Sequence, residues 1–528
     1  MPPAASGSSL PKQLILLASL GLLAAGCATN PVTGRREMRF VSEAREIQLG
    51  EKNYFFSQQA QGGTYAVHPD VAGYVETIVE EIISVSDRAH LPYEIVVLNN
   101  SVPNAWAMPG GKMAINRGLL VEIESEAELA AVLAHEVVHV AARHGAKNIE
   151  RGTLLQAGAL GLGLAVSDHE YNDLIMGAGG VGAYLMTMKY SRGAEFEADR
   201  YGIKYMAAAG YDPRAAVQLQ ETFLRLSKNK APGWISGLLA THPPSQARID
   251  ANRETAAQYP EGGKIGQEEY RDAIQPLVDA APAYDAMKDG YKALKKQEYE
   301  NALSAARKAV KMEPVEPHFH ALAAKAHLGR RDSRRARESL ERAIQLNDAY
   351  YEYHLLLGRL ERSEGRNIRA QRALEKSISL LPTASAHYML GDLAIEAGAQ
   401  NDAIKHFRVA ASSKSSDGQK SRVMLARLEM GEHPTRYLKV STTLSKKGYL
   451  RVAVKNTSPV DVSTCRMSVF SSSTGRWQTV NFASGVPAHR SAVVNTRIGP
   501  FPDAAATKGN IKLKFDSVVV AGDESRRR

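Results

Sequence analysis

The sequence predicts a multidomain fold: a mainly α N-terminal domain with a small β-hairpin or sheet, an α-helical superhelix of repeats, and a C-terminal antiparallel β-sandwich. At 528 residues the chain is several times longer than one typical domain. Three patterns carry the prediction: helical apolar periodicity from about 45 to 258, small residues recurring at a fixed period from 284 to 415, and apolar-polar alternation beyond 435. With 44% hydrophobic and 23% charged residues, the composition is that of ordinary globular protein.

The N-terminus is predicted to be a secretory signal with a lipobox. Lys12 supplies a positive charge, an apolar run extends from Leu14 to Ala25, and "LAAGC" ends at Cys27. The ending resembles the bacterial lipobox, in which the cysteine is lipidated. Ala28 directly after the cysteine resembles the residue found there in lipoproteins that are sorted to the outer membrane. Cys27 is therefore the expected lipidation site. An ordinary cleaved signal with a free thiol is the alternative.

The first domain is predicted at 45–258, as helices with a small sheet. "YEIVVLNN" predicts a strand, and "NAWAMPGGKMAINRGLL" predicts a hairpin that reverses at Pro109-Gly110-Gly111. Two glycine-rich apolar stretches lie between Thr153 and Met188, and each is too short to span a bilayer comfortably. We expect a buried or membrane-touching helical pair there, with re-entrant insertion as the alternative.

The helix after the hairpin carries the stretch "AHEVVHV" within an otherwise apolar run. Its predicted N-cap is Ser125, and Glu128 three residues later completes a capping box. The helix is predicted to end at about Arg143, with Gly145 as its stop. Polar side chains in such apolar surroundings are costly unless something satisfies them, which points to a bound ligand or paired neighbours.

Two histidines of this helix form a candidate metal site. His135 and His139 are four residues apart, so they share one face of the helix, and Glu136 directly follows the first. In this arrangement both imidazoles can bind one Zn²⁺, and the glutamate beside the metal can act as a general base. The sequence therefore predicts one Zn²⁺ per chain.

The downstream segment "SRGAEFEADRYG" offers a third ligand. Glu195 and Asp199 are again four residues apart on one face. Glu195 can complete a His₂Glu set with His135 and His139, and Asp199 can accept a hydrogen bond that fixes the tautomer of a ligand histidine. Taken alone, the segment also fits a surface helix with stabilising acids. Further on, "THPPSQARIDAN" places His242 before two prolines, and the residues alone leave its role open.

These segments, in this order after "NAWAMPGG", resemble the zinc metallopeptidases that include the CAAX prenyl-protein proteases and the HtpX membrane protease. The lipobox, "CATNPVTGRRE" and the repeats resemble more closely the periplasmic members, such as the β-barrel assembly-enhancing proteases. The resemblance implies zinc ligands at His135, His139 and Glu195, a general base at Glu136, and a latch at His242 that closes over the metal. A transition-state role is the alternative for the last residue. Without full membrane spans, prenyl-protein processing is not expected.

Small residues recur between 284 and 415 at spacings of 34, 34 and 33, which is typical of tetratricopeptide repeats. Such repeats are helix pairs that approach closely through small side chains and stack into a superhelix with a concave binding face. The aligned sets are Gly290, Ala324, Gly358 and Gly391; Ala302, Ala336, Ala370 and Ala403; and Ala309, Ala343, Ser377 and Ala410.

Beyond the repeats, six strand-like segments from "YLKVSTTL" to "IKLKFDSVVV" predict the β-sandwich. The two cysteines are too few for a disulfide framework. The predicted plan is a signal peptide with lipobox at 1–27, a tether at 28–44, the zinc metallopeptidase domain at 45–258, a linker at 259–283, the repeats at 284–415, a linker at 416–435, the sandwich at 436–521 and a basic tail at 522–528.

Together these features predict a periplasmic zinc metalloendopeptidase, anchored to the outer membrane by a lipid, that degrades or trims misassembled envelope proteins. The repeats are expected to recruit unfolded substrates or the outer-membrane assembly machinery, and no nucleic acid partner is expected. The hairpin around "AWAMPGG" could offer an edge strand to an extended substrate. The alternative function is a chaperone-like assembly factor or scaffold with a latent or structural zinc site, since His242 could supply a fourth protein ligand.

Overall fold

The computed structural model of the protein describes residues 27–161, 189–229, 241–472, 475–504, 507 and 510–522. The chain forms two compact units, Met1–Tyr353 and His354–Arg528. The predicted signal up to residue 26 lies outside the described residues, as does most of the predicted apolar pair between Thr153 and Met188. Within the described ranges, no helix is long and apolar enough to cross a membrane. The predicted helix-rich architecture with small sheets is confirmed.

The first unit contains two small sheets and a series of helices. Its strands are β1 (Cys27–Thr29), β2 (Arg36–Met38), β3 (Glu94–Leu98), β4 (Ala105–Met108) and β5 (Lys112–Asn116). Its helices are α1 (Glu43–Ala60), α2 (Pro69–Ser84), α3 (Arg117–Leu120), α4 (Glu126–Ala141), α5 (His144–Gly161), α6 (Arg192–Ala208), α7 (Ala215–Asn229), α8 (Gln246–Ala256), α9 (Gln267–Lys295), α10 (Tyr299–Met312), α11 (Pro317–Gly329) and α12 (Ser333–Leu346).

The three-stranded sheet of this unit has the order β3-β5-β4. Strand β3 runs parallel to β5, and β4 runs antiparallel to it, with Ala105 opposite Ile115 and Met108 opposite Lys112. The hairpin that the sequence predicts is therefore confirmed. Strand β4 is an edge strand, and helix α4 packs against it.

Helix α4 lies in the core of the first unit. Every residue of this helix except His135 is buried, because its Ala, Leu and Val side chains cover all of its faces. Ser125 caps the helix as predicted, since its hydroxyl accepts the N–H of Glu128 at 3.2 Å. The Glu128 carboxylate accepts the N–H of Glu124 at 2.9 Å, so it closes the cap one residue earlier than a standard capping box.

Helix α4 ends at Ala141, and the prediction that Gly145 stops it is wrong. Gly145 lies inside α5, and the chain turns at Arg143, whose φ of +61° is in the left-handed region. The Arg143 guanidinium compensates for this conformation by pairing with two buried carboxylates, Glu46 at 2.6 Å and Glu150 at 3.3 Å. Tertiary ion pairs thus hold a turn for which the sequence pattern required glycine.

The predicted tether at 28–44 is instead part of the folded unit. Strands β1 and β2 pair in antiparallel fashion, and the turn formers between them make a tight turn rather than a flexible segment. The Asn30 amide donates to the backbone oxygen of Ala142 at 2.9 Å, and Val32 belongs to the main hydrophobic cluster. Helix α1 then begins at Glu43.

The predicted linkers at 259–283 and 416–435 are largely helical. Helix α9 continues through Pro276 and Pro282, which the sequence pattern treats as helix breakers. Apolar side chains at helical spacing bury one face of α9; they are Tyr270, Ile274 and Leu277. This burial against the core outweighs the local signal for a break. In the second linker, helix α17 spans Ser416–Glu429.

The repeat helices follow the tetratricopeptide pattern. Helix α13 (Tyr351–Ser363) contains the point where the two units divide. A Cβ atom added to Gly358 would lie 2.6 Å from the Leu374 side chain, and one added to Gly391 would lie 2.6 Å from Phe407. Only a residue without a side chain allows helices to approach this closely. The alanines of the aligned sets are buried; they are Ala302, Ala309, Ala324, Ala336, Ala343, Ala370, Ala403 and Ala410.

The second unit continues with helices and ends in two sheets. Its helices are α14 (Asn367–Leu380), α15 (Ala384–Glu396), α16 (Gln400–Ala411), α17 and α18 (Pro434–Tyr437), and its strands are β6 (Leu438–Leu444), β7 (Leu450–Asn456), β8 (Val462–Ser471), β9 (Arg476–Phe482), β10 (Ser491–Asn495) and β11 (Ile511–Val520). The antiparallel sheets have the orders β10-β7-β6 and β11-β8-β9. Val452 and Val469, one from each sheet, belong to one hydrophobic cluster. The six strands are confirmed, and their assignment as a β-sandwich stays a prediction.

Candidate metal centre

Four predicted site residues come together in the first unit. His135 and His139 lie on α4, Glu195 lies on α6, and His242 precedes α8; their donor atoms all lie within 4.8 Å of one another. Close packing of α6 on α4 makes this possible, because a Cβ atom on Gly202 would lie only 3.3 Å from the backbone nitrogen of His135. Glycine at this position lets the two helices that carry the candidate ligands approach each other.

The distances between donor atoms fit a tetrahedral zinc ion. The Nε2 atom of His135 lies 3.0 Å from Nε2 of His139, and each Nε2 lies 3.6 Å from an oxygen of Glu195. Ligand atoms about 2.0–2.1 Å from a tetrahedral ion are themselves about 3.3 Å apart. Two imidazoles and a carboxylate are also a donor set that zinc prefers. The residues present therefore fit the metal that the sequence predicts.

His242 lies inside the same group. Its Nδ1 atom is 3.3 Å from Nε2 of His135 and 3.1 and 3.2 Å from the two oxygens of Glu195. Its side chain is buried, and Ser245 three residues later caps α8 by accepting the N–H of Arg248. The segment with the two prolines thus delivers a fourth donor to the position where a metal would be held.

Glu136 lies beside the group without being a member of it. Its side chain is buried, and its Oε2 atom has no hydrogen-bond partner among the residues that the structure describes. Its Oε1 atom lies 3.6 Å from Nε2 of His242. Burial raises the pKa of this carboxylate above its ordinary value. A carboxylate with a free oxygen and a raised pKa is suited to accepting and returning a proton.

Asp199 contacts the first histidine. Its Oδ1 atom lies 2.9 Å from Nδ1 of His135, which leaves Nε2 facing Glu195. Arg248 holds Asp199 with two hydrogen bonds of 2.7 Å and contacts Glu195 at 3.0 Å. Sequence reasoning assigned no role to Arg248, although it lies in the quoted segment "THPPSQARIDAN". Its contacts arise only when α8 packs against α6.

Three further residues that the sequence did not single out hold the second histidine. Nδ1 of His139 lies 2.9 Å from Nδ1 of His144, whose Nε2 lies 3.3 Å from a carboxylate oxygen of Glu197. The Tyr190 ring stacks on His139 with a centroid distance of 3.9 Å and an interplanar angle of 22°. Glu197 lies between Glu195 and Asp199 in "EFEAD". This position is the one signal in the sequence that points to a role for Glu197 at the site. The contacts from Glu197 to His144 and from His144 to His139 fix the orientation of His139.

The electrostatics of the group favour a cation. Burial by itself lowers the pKa of His135, but Asp199 and Glu195 outweigh it and raise the pKa to about 9. Burial by itself raises the pKa of Glu195, yet His242 and His135 hold it well below its ordinary range. Burial and the neighbouring His135 keep the pKa of His139 well below its ordinary value. A metal ion would take the place of the proton that His135 otherwise retains.

A pocket with mainly apolar walls adjoins Glu136 and His242. Helices α4, α6 and α7 form it with Ala131, Val132, Ile203, Met206, Leu219 and Phe223. Arg248 and Asn252 of α8 complete its lining. The predicted lipidation residue Cys27 begins β1 opposite Met38, and its modification stays a prediction.

Comparison with known proteins gives two domain matches. Residues 69–256 match the model of peptidase family M48, and residues 321–370 and 355–418 match the model of the tetratricopeptide repeat. The putative β-barrel assembly-enhancing protease of Vibrio cholerae is 33% identical over 202 residues, which cover 36% of this chain and 40% of that protein. The mitochondrial metalloendopeptidase OMA1 of Schizosaccharomyces pombe is 32% identical over 230 residues, which cover 42% of this chain and 63% of that protein.

The β-barrel assembly-enhancing protease of Escherichia coli K12 is 27% identical over 238 residues, which cover 44% of this chain and 47% of that protein. The chain thus spans between two fifths and two thirds of the length of these relatives. The four residues of the metal group all lie within the segment that matches family M48, a family of zinc-dependent peptidases. The chain therefore contains a zinc metallopeptidase domain of peptidase family M48, followed by tetratricopeptide repeats.

Proposed function

We propose that the protein is a zinc-dependent endopeptidase in which His135, His139 and Glu195 bind the metal and Glu136 is the general base. One observation carries the proposal: three donor atoms at zinc spacing lie next to a buried carboxylate with an oxygen that has no partner in the described part of the chain. A buried unpartnered carboxylate is costly unless it has a task. Proton transfer during hydrolysis provides one.

The residues of the site divide the work of peptide hydrolysis. Bound zinc supplies the Lewis acidity that polarises the scissile carbonyl. Glu136, whose Oε2 atom has no partner in the described part of the chain, takes a proton from the attacking water and returns it to the leaving amine. Asp199 and His144 hold the imidazoles of His135 and His139 in orientation.

We further propose that substrates bind as extended chains along β4. This strand is at the edge of its sheet, and it packs against the helix that carries both histidines. An extended peptide that pairs with an edge strand is held mainly by its backbone, so its sequence matters little. The pocket beside Glu136, whose walls are mainly apolar, would accept one small apolar side chain. Unfolded proteins meet both requirements.

The proposed location is the periplasm, with an anchor in the outer membrane through lipidated Cys27. The signal-like N-terminus and the lipobox support it. The proposed substrates are misassembled envelope proteins, and the repeats are proposed to recruit them or the outer-membrane assembly machinery. Support comes from the concave surfaces that tetratricopeptide repeats form and from the names of the relatives in V. cholerae and E. coli.

The proposed domain plan keeps a peptidase domain at 45–258, repeats at 284–415 and a β-sandwich at 436–521. The shared hydrophobic cluster of the two C-terminal sheets supports a sandwich, because two sheets that bury their inner faces together have that architecture. Helix α9 joins the first two regions as a continuous helix in place of a flexible linker.

His242 is proposed to be a latch that occupies the fourth position on the metal. Its Nδ1 atom lies as close to His135 and Glu195 as the other donors lie to each other. The same observation favours a second candidate function, a chaperone-like assembly factor or scaffold, because four protein ligands are typical of structural zinc sites. The two functions differ in whether the closed site ever opens.

The test is cleavage of casein and self-cleavage by the zinc-loaded protein, with and without a chelator. The peptidase proposal expects cleavage that the chelator abolishes and that added zinc restores. If the zinc-loaded protein cleaves nothing and still suppresses aggregation of an unfolded outer-membrane protein, the second function is supported and the first is rejected. If cleavage is observed, a pulldown with the Glu136→Gln protein would identify the substrates, because this protein should bind them without cleaving them.

A further inference from the structure

The region of strands β6 to β11 holds nearly all of the net charge of the protein. Residues 438–522 contain twelve Lys and Arg against three Asp and no Glu. The rest of the chain contains 54 Lys and Arg against 53 Asp and Glu, and the formal net charge of the whole is +10. A segment with this excess attracts anionic surfaces within roughly the Debye length, about 8 Å at physiological salt.

The outer face of the β11-β8-β9 sheet combines cations with two aromatic rings. Lys512 lies opposite Phe470, which lies opposite Trp477, so the three form a row across the strands. The Phe470 and Trp477 ring centroids are 5.4 Å apart, and Trp477 is 53% exposed. Lys514 lies two residues after Lys512 on β11, and Arg466 lies four residues before Phe470 on β8. Because side chains alternate between the two faces of a strand, Lys514 and Arg466 point to the same face as the row.

The three cations of this face are exposed. Among the residues that the structure describes, none of them makes an ion pair. The nearby acid on β11 is Asp516, which accepts a hydrogen bond from the Ser468 hydroxyl at 2.8 Å. The face therefore offers Lys512, Lys514 and Arg466 to an external anion.

We propose that this face docks onto the surface of an anionic lipid bilayer. Trp477 and Phe470 would enter the headgroup zone, where amphipathic aromatic rings are favoured, while the lysines and Arg466 pair with lipid phosphates. An acidic protein segment would need the cations alone. The exposed Trp477 ring and the partly buried Phe470 ring are stabilised only by a partner that also removes them from water, as the interfacial zone of a membrane does. The proposal does not depend on peptidase activity.

The experiment measures binding of the full chain to vesicles. The chain carries Cys27→Ser, so that no lipid anchor contributes. It is sedimented with phosphatidylcholine vesicles that contain 30% phosphatidylglycerol, or none, in about 0.15 M salt. We expect binding to the anionic vesicles only. Lys512→Glu/Lys514→Glu should weaken it on the order of 10-fold to 100-fold. Tryptophan emission should shift to the blue on binding, and Trp477→Phe should abolish that shift.

A matched charge reversal on the other sheet controls for nonspecific attraction. Lys439 and Arg451 are exposed on the outer face of the β10-β7-β6 sheet, so Lys439→Glu/Arg451→Glu changes the net charge by the same amount. We expect this pair to weaken binding much less, and thermal unfolding verifies that both proteins fold. An equal loss in both pairs, or no binding to anionic vesicles, overturns the proposal. Tight binding of single-stranded DNA or of an acidic peptide without vesicle binding overturns it as well.

Discussion

Nδ1 of His135 lies 2.9 Å from Oδ1 of Asp199, and the same carboxylate accepts hydrogen bonds from Nε and Nη2 of Arg248. Because Nδ1 is engaged, the Nε2 atom of His135 is the nitrogen left for the metal. Asp199 is itself buried, and its pKa lies below the ordinary value because the arginine outweighs the effect of burial. The candidate zinc ligand His135 is thus held by Asp199, and Arg248 fixes the position of Asp199.

Asp199→Asn should therefore lower zinc affinity without unfolding the protein. An amide retains the shape of the carboxylate but loses its charge, and removal of such partners typically costs about 10- to 100-fold in metal affinity. Zinc titration with a competing chelator measures the effect. Asp250→Asn is the matched control, since Asp250 is exposed on the same helix as Arg248. Unchanged affinity in the Asp199 variant would remove it from the site.

Glu136→Gln should retain zinc and lose peptidase activity by at least about 10²-fold, the usual cost of removing a general base. His135→Ala and Glu195→Ala should lose both zinc and activity, because each removes a donor atom. Elemental analysis and casein cleavage on the same samples separate the two effects. Normal turnover in the Glu136 variant would exclude it as the base, and full zinc content after Glu195→Ala would mean that another residue is the third ligand.

The sequence predicts each pair of site residues because the geometry within one helix is local, whereas the meeting of α4 and α6 depends on their packing. His135 and His139 are one turn apart on α4, and Glu195 and Asp199 repeat that spacing on α6, so a helical period is enough to pair them. The contacts of Arg248 cannot be found in this way. They depend on how α8 packs against α6, which no spacing along the chain encodes.

Tertiary packing also accounts for the places where the fold differs from the prediction. Pro276 and Pro282 signal a break, but the helix continues because buried apolar side chains on one face stabilise it. At Arg143 the chain takes a left-handed turn that the carboxylates of Glu46, distant in the sequence, and Glu150 support. The repeats were predictable, in contrast, because positions such as Gly391 are fixed by a period that the sequence displays directly.

Gly391→Ala should destabilise the second unit. The added methyl group would lie 2.6 Å from Phe407, and overpacking of this kind costs about 1–3 kcal/mol, more than the roughly 0.5–1 kcal/mol that alanine gains in a helix. Thermal unfolding followed by circular dichroism measures it, and Phe407→Leu in the same protein should restore part of the loss. Gly73→Ala is the control, because outside its own helix no described atom lies within 4 Å of the added group. Equal melting of both variants would refute the packing argument.

Cys465 should not react with a thiol reagent in the folded protein. It is fully buried, and burial raises its pKa to about 11. The thiolate is the reactive form, so at pH 8 the folded protein exposes neither the sulfur nor its charge. In the Cys27→Ser protein, where Cys465 is the remaining thiol, reaction with Ellman's reagent should require denaturant. Rapid reaction without denaturant would show that the sheets open readily.

The latch proposal predicts that His242→Ala raises basal proteolysis. Nδ1 of His242 lies 3.1 Å from Glu195 and 3.3 Å from His135, so in this conformation it completes a closed set of four donors. A catalytic zinc needs one position free of protein ligands. Removing the imidazole should free that position, and zinc should remain bound through the other three ligands. Casein cleavage, self-cleavage and zinc content are measured together.

The opposite sign would assign His242 a different role. Its Nε2 atom lies 3.6 Å from Oε1 of Glu136, close enough to the reacting groups to stabilise the charge that develops on an attacked carbonyl. In that case His242→Ala should lower activity, by about the 10²–10³-fold that loss of such a donor costs. His242→Gln separates the two roles further, because an amide can still donate a hydrogen bond but is a poor zinc ligand. A latch predicts that this variant is as active as His242→Ala, whereas a transition-state role predicts partial rescue. A rate unchanged in both variants would exclude both roles, since neither a ligand that blocks the metal nor a donor to the transition state can be removed without effect.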